Sequence, residues 1–221
     1  MRPHSVAGDD PGAWARKSVQ GWMMQEAEAV NWVASRLEAG AVREALDLLA
    51  SCSRLLTIVG TGVSGLVAAK LAATFTSSGT PAMSLNASDA LHGGLGVARR
   101  DDVVLAISNS GRTEETLLVV EQLSAAGIPV IALTGNTSSP LAALADVVID
   151  TSVPAEACPL GTLPTASSTV VLAIGDALAV TLAEWRGWTL EDVARIHPAG
   201  SIGQIARARP STGSSTAAGF A

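Results

Sequence analysis

Aromatic side chains are scarce in this sequence, and their scarcity limits the partners that the chain can bind. The 221 residues include no tyrosine, and the aromatic fraction is only 3%. Proteins that bind single-stranded nucleic acid stack successive bases on aromatic rings. The formal net charge is −6 at pH 7, and a negative surface repels a polyanion. We therefore expect no nucleic-acid partner, although local amides and hydroxyls can still bind a small anion.

Cysteine and long apolar runs are also sparse. Cys52 and Cys158 lie far apart and form no CxxC pair, which suits a reducing compartment and provides no disulfide framework. Residues 1–12 are polar and lack the apolar centre of a signal peptide. A membrane-spanning run of about 18 consecutive apolar residues does not occur. These features predict a cytoplasmic protein that does not interact with a membrane.

What the sequence does contain is a regular series of short apolar runs. Hydrophobic residues make up 48% of the chain, which is enough to bury a sizeable core. Five runs are typical of strands buried on both faces; they are residues 55–59, 82–85, 103–107, 130–133 and 147–149. Helix-compatible segments separate them. This alternation predicts an α/β fold with a doubly wound, five-stranded parallel sheet and helices on both faces.

The flanking segments complete the predicted organisation. Apolar residues at helical spacing from Trp14 to Leu37, and again from Val42 to Ala50, predict two N-terminal helices. We expect residues 1–12 to form a disordered leader. The stretch 205–221 is rich in Ser, Thr, Gly and Ala and is expected to be a disordered tail. One domain then spans residues 13–204.

The third apolar run ends in a serine-rich loop. Ser108, Asn109, Ser110 and Thr113 belong to this loop, and a helix-compatible segment begins at Glu114. Hydroxyls and free backbone amides at the start of a helix form a natural anion site. Three hydroxyls without a lysine suggest a phosphate held by hydrogen bonds rather than by bulk charge. From the spacing alone, a capped βα turn with no ligand is the alternative.

The first apolar run leads into a glycine loop, residues 60–65, which reads Gly-Thr-Gly-Val-Ser-Gly. The loop fits GxGxxG, a weak signal by itself. A dinucleotide site needs an acid at the end of the second strand, but residues 84–86 are Ser-Leu-Asn. A Walker lysine is also missing. We therefore expect no cofactor, while Gly62 and Ser64 allow a substrate to approach the backbone at the edge of the sheet where ligands bind.

Six motifs follow one another along the chain. They are residues 87–93 (Ala-Ser-Asp-Ala-Leu-His-Gly), 108–111 (Ser-Asn-Ser-Gly), 156–161 (Glu-Ala-Cys-Pro-Leu-Gly), 164–169 (Pro-Thr-Ala-Ser-Ser-Thr), 175–180 (Gly-Asp-Ala-Leu-Ala-Val) and 197–200 (His-Pro-Ala-Gly). Their order and spacing resemble the sugar isomerase (SIS) domain of arabinose-5-phosphate isomerases, over roughly residues 40–204. The resemblance implies a flavodoxin-like sheet. It also implies a homo-oligomer, a tetramer or a dimer, with active sites near subunit interfaces.

The resemblance further implies an aldose–ketose isomerase whose substrate is a sugar phosphate. Such an enzyme moves a proton between adjacent carbons through an enediol, and an acid or base shuttles the oxygen proton. The matching catalytic positions are Glu115, Glu156 and His197, the histidine often acting across a subunit boundary. Glu156 lies in an apolar loop, so we expect a raised pKa and a role as base. The structural alternatives are an acid that complements a helix dipole, a solvated loop acid and a surface histidine.

The predicted substrate-binding residues come from the loops and from the matching motifs. They are Gly62, Ser64, Gly79, Thr80, His92, Ser108, Asn109, Ser110, Thr113, Ser167 and Ser168. For Ser167 and Ser168, capping of the long helix is the alternative. For His92, a packing role is the alternative.

Three positions depart from the family pattern. Val63 stands where the family usually has a lysine, Gly94 where it has an aspartate, and Asn86 where some members have a histidine proposed as a zinc ligand. With three histidines and no Cys/His cluster, we predict no structural metal. The pair of CBS regulatory modules that usually follows the domain is not expected within this sequence.

Two other functions stay open. One is an enzyme like 6-phospho-3-hexuloisomerase, which also lacks CBS modules. The other is a non-catalytic module that binds a sugar phosphate, as SIS domains do in some regulators. Such a regulator would need an output domain such as a helix-turn-helix, and the sequence shows none. The presence of Glu115, Glu156 and His197 together favours an enzyme.

Overall fold

A five-stranded sheet forms the centre of the molecule. The computed structural model describes residues 10–208. The strands are β1 (Leu56–Gly60), β2 (Ala82–Asn86), β3 (Val103–Ile107), β4 (Val130–Thr134) and β5 (Val147–Asp150). The helices are α1 (Pro11–Ala34), α2 (Ala39–Ser51), α3 (Val63–Ser77), α4 (Ala87–Ala90), α5 (Glu114–Ala125), α6 (Pro140–Leu144), α7 (Ala166–Trp185), α8 (Leu190–Ile196) and α9 (Gly200–Ala208), with a short 3₁₀ helix at Gly94–Val97.

All neighbouring strands are parallel, and their order is β2-β1-β3-β4-β5. From β1 the chain first adds β2 on one side and then crosses over to add β3 on the other side of β1. The order of strand addition therefore reverses between β1 and β3, where Val59 lies beside Ala106. This order is that of a doubly wound, flavodoxin-like sheet, and a crevice opens at the reversal beyond the carboxyl ends of the strands. The predicted fold class is confirmed.

The sheet is buried on both faces because alternate residues of each strand enter different cores. Leu105 packs with Leu71 of α3 and Leu178 of α7 on one face. Its neighbour Val104 packs with Val119 of α5 and with α6 on the other face. Full burial of an aliphatic side chain contributes roughly 1.5–3 kcal/mol. The unbroken apolar runs in the sequence are the direct consequence of this two-sided burial.

Helix α7 is long and apolar enough to cross a membrane, judged by length and composition only. In this fold it is the central core helix of one face. It packs against α3 and α1, and Leu178 and Leu182 are buried. Lys70 of α3 forms an ion pair with Asp176 of α7. The apolar composition of α7 therefore reflects its place between neighbouring helices and the sheet.

Both predicted ends of the domain shift in the structure. Residues 11–12, which we assigned to the leader, open α1, where the Asp10 side chain accepts a hydrogen bond from the Gly12 amide at 3.2 Å. Residues 205–208, which we assigned to the tail, form the last part of α9. The two glycines in α9 weaken its helical signal in the sequence. Residues 1–9 and 209–221, the rest of the predicted leader and tail, lie outside the described residues.

Two helical glycines provide a matched test of the α3–α7 contact. A Cβ at Gly175 would overlap the Leu71 side chain, which is fully buried, whereas a Cβ at Gly21 of α1 would meet nothing within 4 Å. Replacing glycine by alanine inside an open helix stabilises it by about 1 kcal/mol. We expect Gly21→Ala to raise the free energy of unfolding and Gly175→Ala to lower it by about 1–3 kcal/mol. Chemical denaturation at a fixed protein concentration measures both; equal effects would contradict this packing.

Candidate active site

The serine loop, residues 108–113, follows β3 at the carboxyl edge of the sheet. The hydroxyls of Ser108 and Thr113 lie 3.1 Å apart, and Ser108 Oγ accepts a hydrogen bond from the Gly111 amide at 3.2 Å. Ser108 is buried and its hydroxyl braces the loop, so a direct contact between Ser108 and a phosphate stays a prediction. Ser110 is exposed. The loop is thus shaped from within before any ligand binds.

Helix α5 begins directly after this loop without a side-chain cap. Thr113 occupies the N-cap position in an extended conformation, but its side chain makes no capping hydrogen bond. Its hydroxyl is instead paired with Ser108. The first helical residues, Glu114 and Glu115, therefore present backbone amides that no side-chain cap satisfies. Free amides at a helix N-terminus bind anions, and Glu115 stands half-buried beside them.

The glycine loop brings a second helix N-terminus to the same edge. Gly62 is the N-cap of α3 and has a φ of 60°, a left-handed conformation that favours glycine. Helix α3 has no side-chain cap either. Val63, the first residue of the helix, is 42% exposed. An apolar side chain therefore stands at the position where the family pattern has a lysine.

A narrow cleft of about 30 Å³ lies between the serine loop, α3 and α7. It brings together four of the predicted substrate-binding residues, which are Ser64, Asn109, Ser167 and Ser168. The remaining lining is mostly apolar and comes from Val63, Val67, Ile107, Pro164 and Val171. The cleft lies at the reversal point of the sheet, where ligands bind in this class of fold. It offers hydroxyl and amide groups and no charged side chain.

Glu156, in the loop before α7, caps the N-terminus of that helix. Its Oε2 atom accepts hydrogen bonds from the Thr165 amide at 2.9 Å, the Thr165 hydroxyl at 3.3 Å and the Ser167 amide at 3.1 Å. Thr165, the N-cap residue, makes no capping bond with its own side chain. The Glu156 carboxylate therefore replaces the missing cap and complements the positive end of the helix dipole.

These contacts overturn the predicted raised pKa of Glu156. Burial raises the pKa of this carboxyl, but the hydrogen bonds from Ser167 and Thr165 outweigh burial and leave the pKa below its ordinary value. Hydrogen bonds donated to the charged form stabilise that form. Glu156 is therefore an ionised acceptor at neutral pH. The apolar composition of its loop gave no sign of the amides that approach it from residues further along the chain.

His197 ends α8 and is held by its own helix. Its Nδ1 atom lies 3.0 Å from the Val193 carbonyl oxygen, and a carbonyl can only accept, so Nδ1 carries the proton. In the neutral ring, Nε2 then has a free lone pair. The backbone of His197 contacts α9 through a hydrogen bond from Arg207. Within one described chain, His197 therefore forms hydrogen bonds with residues of α8 and α9. It does not line the cleft of that chain.

Gly79 and Thr80 lie just before β2, at the amino ends of the strands and away from the carboxyl ends where the cleft opens. Thr80 is buried, and its hydroxyl accepts a hydrogen bond from Arg186 at 2.8 Å. Gly79 packs so closely on the Trp188 ring that a Cβ would overlap it. These contacts join the end of α7 to the start of β2. A contact between this turn and a substrate stays a prediction; its position away from the cleft of the same chain argues for a structural role.

His92 follows α4 and is exposed. Because α4 begins directly after β2, His92 belongs to the carboxyl side of the sheet. It is not among the residues that line the cleft. A contact between His92 and a substrate therefore stays a prediction.

The geometry can now be set beside known proteins. Residues 48–181 match the SIS domain. The chain is 46% identical over 179 residues to the arabinose 5-phosphate isomerase KdsD of Pseudomonas aeruginosa, covering 81% of this chain and 55% of that protein. It is 45% identical over 153 residues to KdsD of Shigella flexneri, covering 69% and 47%. The c3406 protein of Escherichia coli CFT073, solved in complex with arabinose 5-phosphate, superposes with a TM-score of 0.81 at 37% identity, covering 86% of this chain and all of that one.

The chain belongs to the SIS-domain family. It spans about half the length of the curated relatives that it matches. As in the predicted family pattern, its serine loop and its glycine loop stand side by side at the carboxyl edge of the SIS sheet. Asn86, at a position where some members have a histidine, caps α4 by accepting a hydrogen bond from the Ser88 amide at 2.9 Å. Among residues 10–208, no three His, Cys, Asp or Glu side chains form a group that could hold a metal ion.

Cys158 is a feature of this SIS domain that the sequence reasoning passed over. Its Sγ atom accepts hydrogen bonds from the Thr162 and Leu163 amides at 3.3 Å each. Hydrogen bonds from the Leu163 backbone and its neighbours lower the pKa of the Cys158 thiol. Burial raises the pKa of Cys52. In the sequence, the position of Cys158 two residues after Glu156 was the one indication that this thiol belongs to the same loop structure.

The two thiols provide a direct test of this loop. We expect alkylation of Cys158 by iodoacetamide to follow a titration whose midpoint lies below that of an ordinary cysteine, and alkylation of Cys52 to follow one above it, because the thiolate is the reactive form. Peptide mass spectrometry across a pH series separates the two sites. The single variants Cys52→Ala and Cys158→Ala identify each signal. The reverse order of midpoints would contradict the described hydrogen bonds.

Proposed function

We propose that this protein is an aldose–ketose isomerase acting on a sugar phosphate of the arabinose 5-phosphate type. The observation that carries the proposal is the match to the whole of a structure that holds arabinose 5-phosphate, at 37% identity. The curated relatives named arabinose 5-phosphate isomerase support it over the part of their length that this chain spans. The cleft supports it independently, since its groups suit a neutral polyol chain.

The phosphate binds at the serine loop and the start of α5. Ser110 provides an exposed hydroxyl, and the uncapped amides of Glu114 and Glu115 point from the helix N-terminus. Thr113 and Ser108 hold the loop in shape. A bound phosphate would satisfy helix amides that the protein leaves without a side-chain cap. Ser108 thus acts on the phosphate through the loop.

The carbon chain of the sugar lies across the mouth of the adjacent cleft, whose interior has room for about one water molecule. Ser64 and Asn109 on one side and Ser167 and Ser168 on the other provide polar groups. Ser168 Oγ already donates to the turn before α7, to the Pro164 carbonyl at 2.8 Å or the Thr165 carbonyl at 2.9 Å, so it meets the substrate as an acceptor. The apolar remainder of the lining excludes water from the reacting carbons.

Isomerisation moves one carbon-bound proton from the carbon beside the carbonyl to the carbonyl carbon itself. We assign Glu115 and His197 to the two proton transfers. One group removes the proton from the carbon beside the carbonyl and returns it to the neighbouring carbon; the other transfers the proton between the two oxygens of the enediol. The protonated Nδ1 of His197 leaves Nε2 free to accept a proton.

The function requires a homo-oligomer, a dimer or a tetramer, in which His197 reaches the cleft of a neighbouring copy. Exposed apolar side chains on the helical surface support such contacts; they include Trp14, Met23, Met24, Val180, Ile202 and Ile205. Two of them belong to α9, which packs on the helix that ends at His197. We place the protein in the cytoplasm, consistent with two free cysteines among the described residues.

Binding of a sugar phosphate without turnover is the competing function. One observation favours it, namely that Val63 stands at the mouth of the cleft where the family pattern has a lysine. A cation there would stabilise a developing enediolate, and its loss slows such chemistry. If the protein does turn over a sugar phosphate, we expect the residue at position 63 to influence which sugar it prefers.

A panel of pentose, hexose and heptose phosphates in deuterated water tests the proposal. Proton NMR detects both product and deuterium incorporated at the carbon beside the carbonyl. We expect turnover of arabinose 5-phosphate or a close stereoisomer, with exchange that requires the protein. A Val63→Lys variant run on the same panel shows whether valine altered the preferred sugar. If the protein binds sugar phosphates but forms no product and incorporates no deuterium with any of them, the competing function, binding without turnover, is the correct one.

Subunit complementation tests the assignment of Glu115 and His197. The variants Glu115→Gln and His197→Ala should each lose about 10²–10⁴-fold in kcat, while the neighbouring Glu114→Gln change should have little effect. Co-expressed, the two inactive chains should regain partial activity, because a mixed oligomer contains a site with both wild-type groups.

The control pairs Glu115→Gln with a chain that carries both changes, where no intact site can form. Isolated mixed oligomers that stay as inactive as this control would contradict the proposal that His197 acts across the interface.

A further inference from the structure

The loop between β5 and α7, residues 151–165, is long for a connection of this type. It carries Pro164, which lines the cleft, and leads into Ser167 and Ser168, which line it too. A long loop without secondary structure must be held by specific contacts if its residues are to line a cleft reproducibly. The contacts that hold this loop therefore control the shape of one wall of the site.

Two side-chain atoms provide these contacts from inside the loop. Glu156 Oε2 accepts from the amides of Thr165 and Ser167 at 2.9 and 3.1 Å. Cys158 Sγ accepts from the amides of Thr162 and Leu163 at 3.3 Å. Together they bind the second half of the loop to its first half.

Helix α1 supports the loop from outside. The Gln25 side chain donates to the Glu156 carbonyl oxygen at 3.3 Å. The neighbouring Glu26 accepts a hydrogen bond from the Thr169 hydroxyl of α7 at 2.7 Å. The first residues of α7 are therefore fixed relative to α1, to the loop and, through the α3–α7 contact, to the glycine loop.

The same contacts argue against proton transfer by Glu156. One of its two oxygens already accepts from two backbone amides, with the Thr165 hydroxyl also within reach, and taking a proton would weaken the interaction that caps α7. Its pKa is lowered by those donors, which makes it a weaker base than a free carboxylate. A base for carbon acids is more effective when its pKa lies near the working pH.

We propose that Glu156 and Cys158 are positioning residues: they clasp the β5–α7 loop and orient Pro164, Ser167 and Ser168 against the substrate, and Glu156 takes no proton from it. The proposal rests on the proposed isomerase function. It differs from the expected role of Glu156 as a base, and the two roles make opposite demands on the side chain. A positioning residue needs an acceptor oxygen, whereas a base needs an ionisable carboxylate.

The variants Glu156→Gln and Glu156→Ala separate these roles. Glutamine keeps an acceptor oxygen and should lose less than about 10-fold in kcat, whereas alanine should lose about 100-fold, the scale of a misplaced substrate contact. The low-pH limb of the kcat/KM profile should stay in place in the glutamine variant. The exposed Glu121→Gln change provides the control. A glutamine variant as inactive as alanine, or one without the low-pH limb, would overturn the proposal.

Cys158 is tested in the same way. Cys158→Ser keeps an acceptor and should retain most activity, whereas Cys158→Ala should raise KM and lower kcat; Cys52→Ala, outside the loop, is the control. Activity in Cys158→Ala equal to wild type would remove Cys158 from the proposal.

Amide hydrogen exchange at Thr165 and Ser167 makes the result independent of activity. We expect protection in the wild type, partial protection in Glu156→Gln and rapid exchange in Glu156→Ala. If the Thr165 and Ser167 amides stay as protected in Glu156→Ala as in the wild type, the proposal that Glu156 holds the loop is wrong. A wild-type protein that caps α7 in this way but isomerises no sugar phosphate would instead refute the proposed function.

Discussion

Backbone amides in the first turn of a helix need acceptors, and the parallel sheet directs several such turns to one edge. Helices α3, α5 and α7 begin beyond the carboxyl ends of β1, β3 and β5, and none has a capping bond from its own N-cap side chain. For α7, Glu156 supplies the acceptor. For α5, the hydroxyl that would cap the helix is paired with Ser108. In the proposed function the substrate phosphate accepts hydrogen bonds from the first amides of α5, and the proposed chemistry depends on this contact.

The cleft beside these termini differs from a strongly charged site. Its polar groups are hydroxyls and an amide, and Val63 adds an apolar wall. In the proposed function, charge enters only at the rim of the cleft, through Glu115 and through His197 of a neighbouring copy. A site of this kind holds a neutral carbon chain by hydrogen bonds and confines acid–base chemistry to a few groups.

The fold was predictable because burial on both faces of a parallel sheet leaves unbroken apolar runs in the sequence. The serine loop and its neighbour were predictable as well, since the carboxyl ends of adjacent strands meet at one edge. Matching motifs gave no sign that Thr80 accepts a hydrogen bond from Arg186 at the amino end of β2. The pKa of Glu156 depends on donors nine and eleven residues away, which local composition does not reveal. Helix α9 escaped prediction because its glycines weaken the helical pattern.

The position of the bound sugar phosphate tests the account most directly. Amide chemical shifts of the deuterated, assigned protein, recorded during titration with arabinose 5-phosphate and separately with inorganic phosphate, locate both ligands. The account predicts saturable shifts at Ser110, Glu114 and Glu115 with either ligand. Shifts at Ser64 and Ser167 should need the sugar, while Thr80, at the amino ends of the strands, should not respond. Saturable shifts centred on Thr80, with the serine loop unchanged, would contradict it.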